Sequence, residues 1–74
     1  MIKWSIEEYC PLNKVWRLKH SLNSKKEIEA KLIYLDQTLS KLIFRGIKEQ
    51  NGRVVLEGKL DYNGKVDWYT PRKK

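Results

Sequence analysis

Cysteine is nearly missing from this chain: Cys10 is the only one in 74 residues. An intrachain disulfide is therefore excluded, and the fold is not stapled. A reducing cytoplasm is the natural setting, that of a host cell if the chain is a viral or plasmid product. Histidine is equally scarce. With His20 as the single imidazole, a Cys/His metal site built from one chain is not expected, and no cofactor is. Long apolar runs are absent too. No uninterrupted apolar stretch comes near the roughly 20 residues that a membrane-spanning helix needs. The first residues lack the apolar core of a signal peptide. A soluble protein without a membrane partner is expected.

The signatures of chemistry are also missing. There is no phosphate-binding glycine loop, no dinucleotide fingerprint and no metal-ligand spacing. Glu7 and Glu8 are adjacent, so on a strand they face apart and form no acid/base pair. Cys10 and His20 could approach across a hairpin, but no third residue to orient them is evident. No catalytic residue is assigned, and an enzyme is not expected.

Positive charge, by contrast, is plentiful. Sixteen Lys plus Arg stand against nine Asp plus Glu, a net charge of +7. The surplus is spread along the chain, with a slight bias to its C-terminal end. Such a balance favours acidic partners, nucleic acid first and an acidic protein next. The length bounds the rest. A chain this short forms one domain and buries only about 60% of its unfolded surface, so its core is thin. One compact unit over residues 1–70 is expected, with a flexible basic tail over 71–74.

The pattern of residues divides that unit. In MIKWSIEEY, Ile2, Trp4 and Ile6 alternate with polar residues, which predicts a half-buried strand. CPLN reads as a turn around Pro11. In KVWRLKH, Trp16, Leu18 and His20 face one way and Val15, Arg17 and Lys19 the other, which completes a hairpin. A competing reading makes part of this stretch helical, from a capping box at Ser5 and Glu8. Ser24 with Glu27 then gives a capping box for a helix. Ile28, Leu32, Leu35, Leu39 and Leu42 recur on one stripe, with Ile43 and Ile47 at its edge and Gly46 at its centre. The spacing carries this helix to Gln50, where Asn51-Gly52 could cap it. At 1.5 Å per residue it would be roughly 39 Å long, more than the domain is wide. Either it overhangs, or it packs on a second copy, or it breaks at LDQT.

VVLEGKLDY and KVDWYT form a second hairpin. A two-residue Asn-Gly loop would put Leu60 and Val66 on opposite faces. A three-residue loop, Tyr62-Asn63-Gly64, pairs Asp61 with Lys65, Leu60 with Val66, Lys59 with Asp67, Gly58 with Trp68 and Glu57 with Tyr69. Opposite charges then meet, and Trp68 covers the bare backbone of Gly58. This register sends Trp68 inward and Tyr69 outward.

Two surfaces are candidates for binding. One is the outer sheet face, with Arg17, Lys19, Lys59 and Lys65 beside Tyr69 and the tail residues Arg72, Lys73 and Lys74. Basic side chains attract phosphates regardless of sequence, and an exposed aromatic can stack on a base. The other is a helical stripe of Gln37, Lys41, Arg45 and Lys48, which in a major groove would meet base edges and phosphates. Of the other aromatics, the three tryptophans are expected in the core and Phe44 on the surface.

The expected fold is a small α+β domain in ββαββ order, with antiparallel hairpins packed on one long helix. The alternative is a winged helix-turn-helix, with helices over 25–35 and 38–49. The stretch TLSKLIFRGIKEQNGRVVLEG loosely resembles the recognition helix and wing of winged-helix proteins, over less than half of the chain. The expected function is nucleic-acid binding, regulatory or architectural, with DNA favoured over RNA. The alternative is a protein-binding module or inhibitor, such as a phage-type modulator of a host enzyme, with a homodimer through the long helix.

Overall fold

Alternation in the first residues builds the first hairpin. Strand β1 spans Ile2–Cys10 and strand β2 spans Val15–Leu22. The turn between them closes with the Lys14 amide donating to the Cys10 carbonyl at 2.7 Å. These residues are strands, so the helical reading of this stretch is not realised. The computed structural model describes residues 1–39 and 41–71. The tail residues Arg72, Lys73 and Lys74 lie outside them.

Helix α1, Lys25–Thr38, starts where the capping box places it. The Glu27 amide donates to Ser24 Oγ at 3.3 Å, and the Glu27 carboxylate accepts from the Asn23 amide at 2.8 Å. The helix ends far earlier than its apolar stripe suggests. Its last turn closes with the Leu39 amide donating to the Leu35 carbonyl, and Thr38 Oγ1 donates back to the Tyr34 carbonyl. The chain then returns to extended backbone, as strands β3, Phe44–Gln50, β4, Arg53–Leu60, and β5, Val66–Tyr69. The fold is α+β, one helix packed on a five-stranded antiparallel sheet, in the chain order β-β-α-β-β-β. Across the sheet the strands run β2-β1-β3-β4-β5.

Opposed residues of a ladder share a face. Ile6, Gly46, Gly58 and Trp68 form one row across four strands. Helix α1 lies directly on this row. A methyl group added at Gly46 would sit 2.6 Å from Ile28 Cγ2, and one at Gly58 would sit 2.9 Å from the Trp68 ring. Gly46 therefore belongs beneath the helix, not within it. Because Phe44–Gln50 is a strand and not a second helix, the helix-turn-helix alternative is removed. At 14 residues, α1 is about 21 Å long. It fits within the 32 × 29 × 21 Å domain, so no overhang calls for a second copy.

The core on this face is Ile6, Ile28, Leu32 and Leu35, with Trp4, Leu22, Phe44, Val66 and Trp68 packed against it. Phe44, expected on the surface, is half-buried there. Trp4 and Trp68 meet edge to face at 5.7 Å. The second hairpin has the three-residue loop and the register expected of its sequence, including Gly58 opposite Trp68 and Glu57 opposite Tyr69.

The first hairpin departs from simple alternation. Ile6 stands opposite His20, but Glu7 stands opposite Leu18, so Lys19 is an extra residue on β2. This bulge reverses the parity of everything before it. Trp16 and Leu18 consequently share the outer face with Glu7 and Tyr9, while His20 faces the helix side. Arg17, opposite Glu8, does too.

Candidate nucleic-acid interface

The outer face of the sheet is organised around Arg45. Its Nε and Nη2 both reach Glu7 Oε1, at 2.8 and 2.6 Å, and Nη1 lies 3.6 Å from Glu57 Oε1. One face of the guanidinium lies over the Trp16 ring, with Cζ 4.2 Å from the centroid. Tyr9 tilts against Trp16 at 5.2 Å. Tyr69 completes the network by donating its hydroxyl to Glu57 Oε1 at 3.0 Å. Burial first, and then that hydrogen bond and the Glu57 charge, hold the Tyr69 phenol above its ordinary pKa of 10.0. Ile47 sits between Ser5 and Glu57 in the ladder and is only 1% exposed, although no helix covers this face.

This arrangement changes the meaning of the outer-face candidates. Arg45 has its donors engaged within the sheet. Lys59 stands opposite Asp67, and Lys3 stands opposite Glu49. Lys65 closes the loop in which the Asp61 carboxylate accepts from the Asn63 and Lys65 amides. Lys59 and Lys3 thus have carboxylates as ladder neighbours, although neither forms an ion pair among the described residues. Tyr69 is half-buried with its hydroxyl engaged, and Trp16 already holds Arg45 and Tyr9. Arg17 and Lys19 are not on this face. The bulge turns them to the helix side, where Lys19 Nζ lies 3.2 Å from Glu8 Oε1.

The expected helical stripe is dispersed. Gln37 lies in the last turn of α1, Lys41 lies in the loop before β3, and Arg45 and Lys48 lie on β3. An odd separation along a strand puts Arg45 and Lys48 on opposite faces. No single surface collects the four residues, because the i, i+4 spacing has no helix to act on.

The helix side carries further cations, beside the carboxylates Glu27, Glu29 and Asp36 of α1. Lys25 and Lys26 occupy the first turn of α1, with Lys31 nearly two turns on. Lys48 and Arg53 stand opposite Trp4 and Gln50. Among the described residues, ion pairs involve only Arg45 and Lys19. Three of the lysines instead lie over aromatic rings: Lys25 Nζ is 5.9 Å from the Trp68 centroid, Lys31 Nζ is 5.1 Å from that of Tyr34 and Lys48 Nζ is 5.4 Å from that of Trp4. Trp68 Nε1 donates to Glu29 Oε2 at 2.8 Å, which fixes the ring beneath Lys25. The sequence patterns did not single out Lys25, Lys26 or Arg53. One signal could have found the first two. Cations in a first helical turn oppose the helix dipole, at a cost of about 0.3–1 kcal/mol each, and broken local rules mark functional positions.

The remaining chemical candidates are dispersed as well. Cys10 stands opposite Val15, while His20 stands opposite Ile6, so the two do not meet. Glu7 and Glu8 face apart and hold Arg45 and Lys19 respectively. Among the described residues no cluster of three His, Cys, Asp or Glu side chains could hold a metal, and no helix is long and apolar enough to cross a membrane. The chain matches no protein-family model, no curated protein and no solved structure.

Proposed function

We propose that this protein is a small nucleic-acid-binding domain, regulatory or architectural, that holds the phosphate backbone with its helix side. The contacts are Lys25, Lys26, Lys31, Lys48 and Arg53. Arg45 drops out of the contact set because its donors are engaged, and Lys59 and Lys65 become secondary. Arg72, Lys73 and Lys74 stay in the reading on charge alone. In this reading the protein works in the cytoplasm, where Cys10 stays reduced.

The observation that supports the reading is where the charges fall on the two sides of the sheet. Lys25, Lys26, Lys31, Lys48 and Arg53 lie on the helix side with the carboxylates Glu27, Glu29 and Asp36 of α1, whereas on the outer face Lys3, Lys59 and Lys65 stand beside Glu49, Asp67 and Asp61 and Arg45 pairs with Glu7. The first-turn amides of α1 that the capping box leaves free add to the attraction for an anion. DNA is the ligand to test first. Titration of duplex DNA, single-stranded DNA and RNA at two salt concentrations checks the proposal. Binding should weaken by about five-hundredfold between 50 and 200 mM salt, as expected for about five phosphate contacts. No binding at low salt contradicts it.

A second reading, a protein-binding module, is favoured by the opposite end of the domain. Tyr9, Pro11, Leu42 and Ile43 line a small cleft with Lys41, and nearby in the turn Leu12 is 92% exposed. The helix does not overhang and Phe44 is half-buried, so this end alone supports that reading. A dimer by light scattering, with no affinity for nucleic acid, favours this second reading over the first.

A further inference from the structure

We propose that β2 is an acceptor edge for an extended acidic peptide segment, which joins the sheet as an additional strand. The residues concerned differ from the proposed phosphate contacts, so the two ideas fail separately. The sheet has two edges, β2 and β5. Strand β5 has four residues, and Pro71 comes soon after it, so it offers little backbone. Strand β2 has eight residues and no proline. Its outer row of amides and carbonyls, interrupted at the Lys19 bulge, is a template for main-chain pairing.

Charge selects the occupant. From Pro11 to Ser24 the sequence contains no Asp or Glu, while it carries Lys14, Arg17 and Lys19. The nearest carboxylate on the neighbouring strand, Glu8, is already held by Lys19. A second copy of the chain suits this edge poorly. An antiparallel pair of β2 strands centred on Leu18 would set Arg17 against Lys19 of the other copy, and like charges directly opposed destabilise a ladder. Arg17, which has no ion pair among the described residues, would meet Glu or Asp on an incoming strand, with Lys19 adding its charge from its place on Glu8.

Side-chain room selects its pattern. Leu18 is 63% exposed on the outer face. Ser5 and Ser21 stand opposite each other, and their small side chains leave a cleft of about 260 Å³ bounded by Lys3, Leu18, Leu22 and Glu49. An apolar residue on the added strand, level with Ser21, can lean into it. The partner is therefore an extended segment that alternates acidic with apolar or β-branched residues.

The test uses the whole protein, amide hydrogen exchange read by NMR, and three probes. One is a peptide about eight residues long that alternates Glu with Val and Thr. The second replaces each Glu with Lys, and the third is a short single-stranded DNA. The acidic peptide should bind at least about tenfold more tightly than the basic one and slow exchange of the free β2 amides. The double substitution Arg17→Glu with Lys19→Glu, on exposed edge positions, should reverse the preference. Equal affinity for both peptides, protection confined to other strands, or protection of β2 by the DNA in place of the peptide would overturn the proposal.

Discussion

Arg45 looks from the sequence like a phosphate ligand and acts in the fold as the centre of an ion-pair network. The difference comes from three strands that meet only after folding, since Glu7 and Glu57 reach it from β1 and β4. Arg45→Met keeps a long side chain over Trp16 and leaves two half-buried carboxylates unpaired. It should destabilise the domain by about 1–2 kcal/mol, between the values for exposed and buried pairs, with urea unfolding as the readout. Tyr69 belongs to the same network and gives it a pH dependence. Its folded pKa is raised, so the folded state holds the proton more tightly than the unfolded chain. The contribution is full below the ordinary value and is lost as pH rises through the folded one. Wild type should exceed Tyr69→Phe by about 1 kcal/mol near neutrality. The gap should close in alkaline solution. A gap that persists at high pH would show that the phenol proton does not matter.

Two elements were legible in the sequence for a local reason. The capping box at Ser24 and Glu27 fixes where α1 begins, and Ser24→Ala should cost about 1 kcal/mol of stability by thermal unfolding. The β4–β5 register came from pairing Gly58 with Trp68 and opposite charges with each other, which only one loop length allows. The end of α1 was not legible. Leu39 and Leu42 continue its stripe at helical spacing, and Ile43 and Ile47 extend the coincidence into β3. What the stripe cannot reveal is that Gly46 lies on β3, seated beneath the distant Ile28 and Trp68. Gly46→Ala should therefore overpack this seat and cost about 1–3 kcal/mol, read as a lower urea midpoint. A neutral result would mean that α1 can lift away from the sheet. The bulge at Lys19 was hidden as well, because one inserted residue leaves no mark in an alternating pattern. It moved Trp16 and Leu18 to the other face and took Arg17 out of the expected patch.

At the scale of the whole molecule, the net charge was readable and its distribution was not. Opposite charges such as Lys3 and Glu49, or Lys59 and Asp67, become ladder neighbours on the outer face. Which residues become partners depends on strand order. In the proposed reading the phosphate contacts are on the helix side, at Lys25, Lys26, Lys31, Lys48 and Arg53, most of which the sequence did not single out. A map of amide shifts in a ¹⁵N-labelled sample, taken as duplex DNA is added at low salt, tests this division most directly. Shifts concentrated in the first turns of α1, at Lys48 and at Arg53, with Lys59, Asp67 and Tyr69 silent, are the expected result. Shifts centred on the outer sheet face, or none at all, would contradict it.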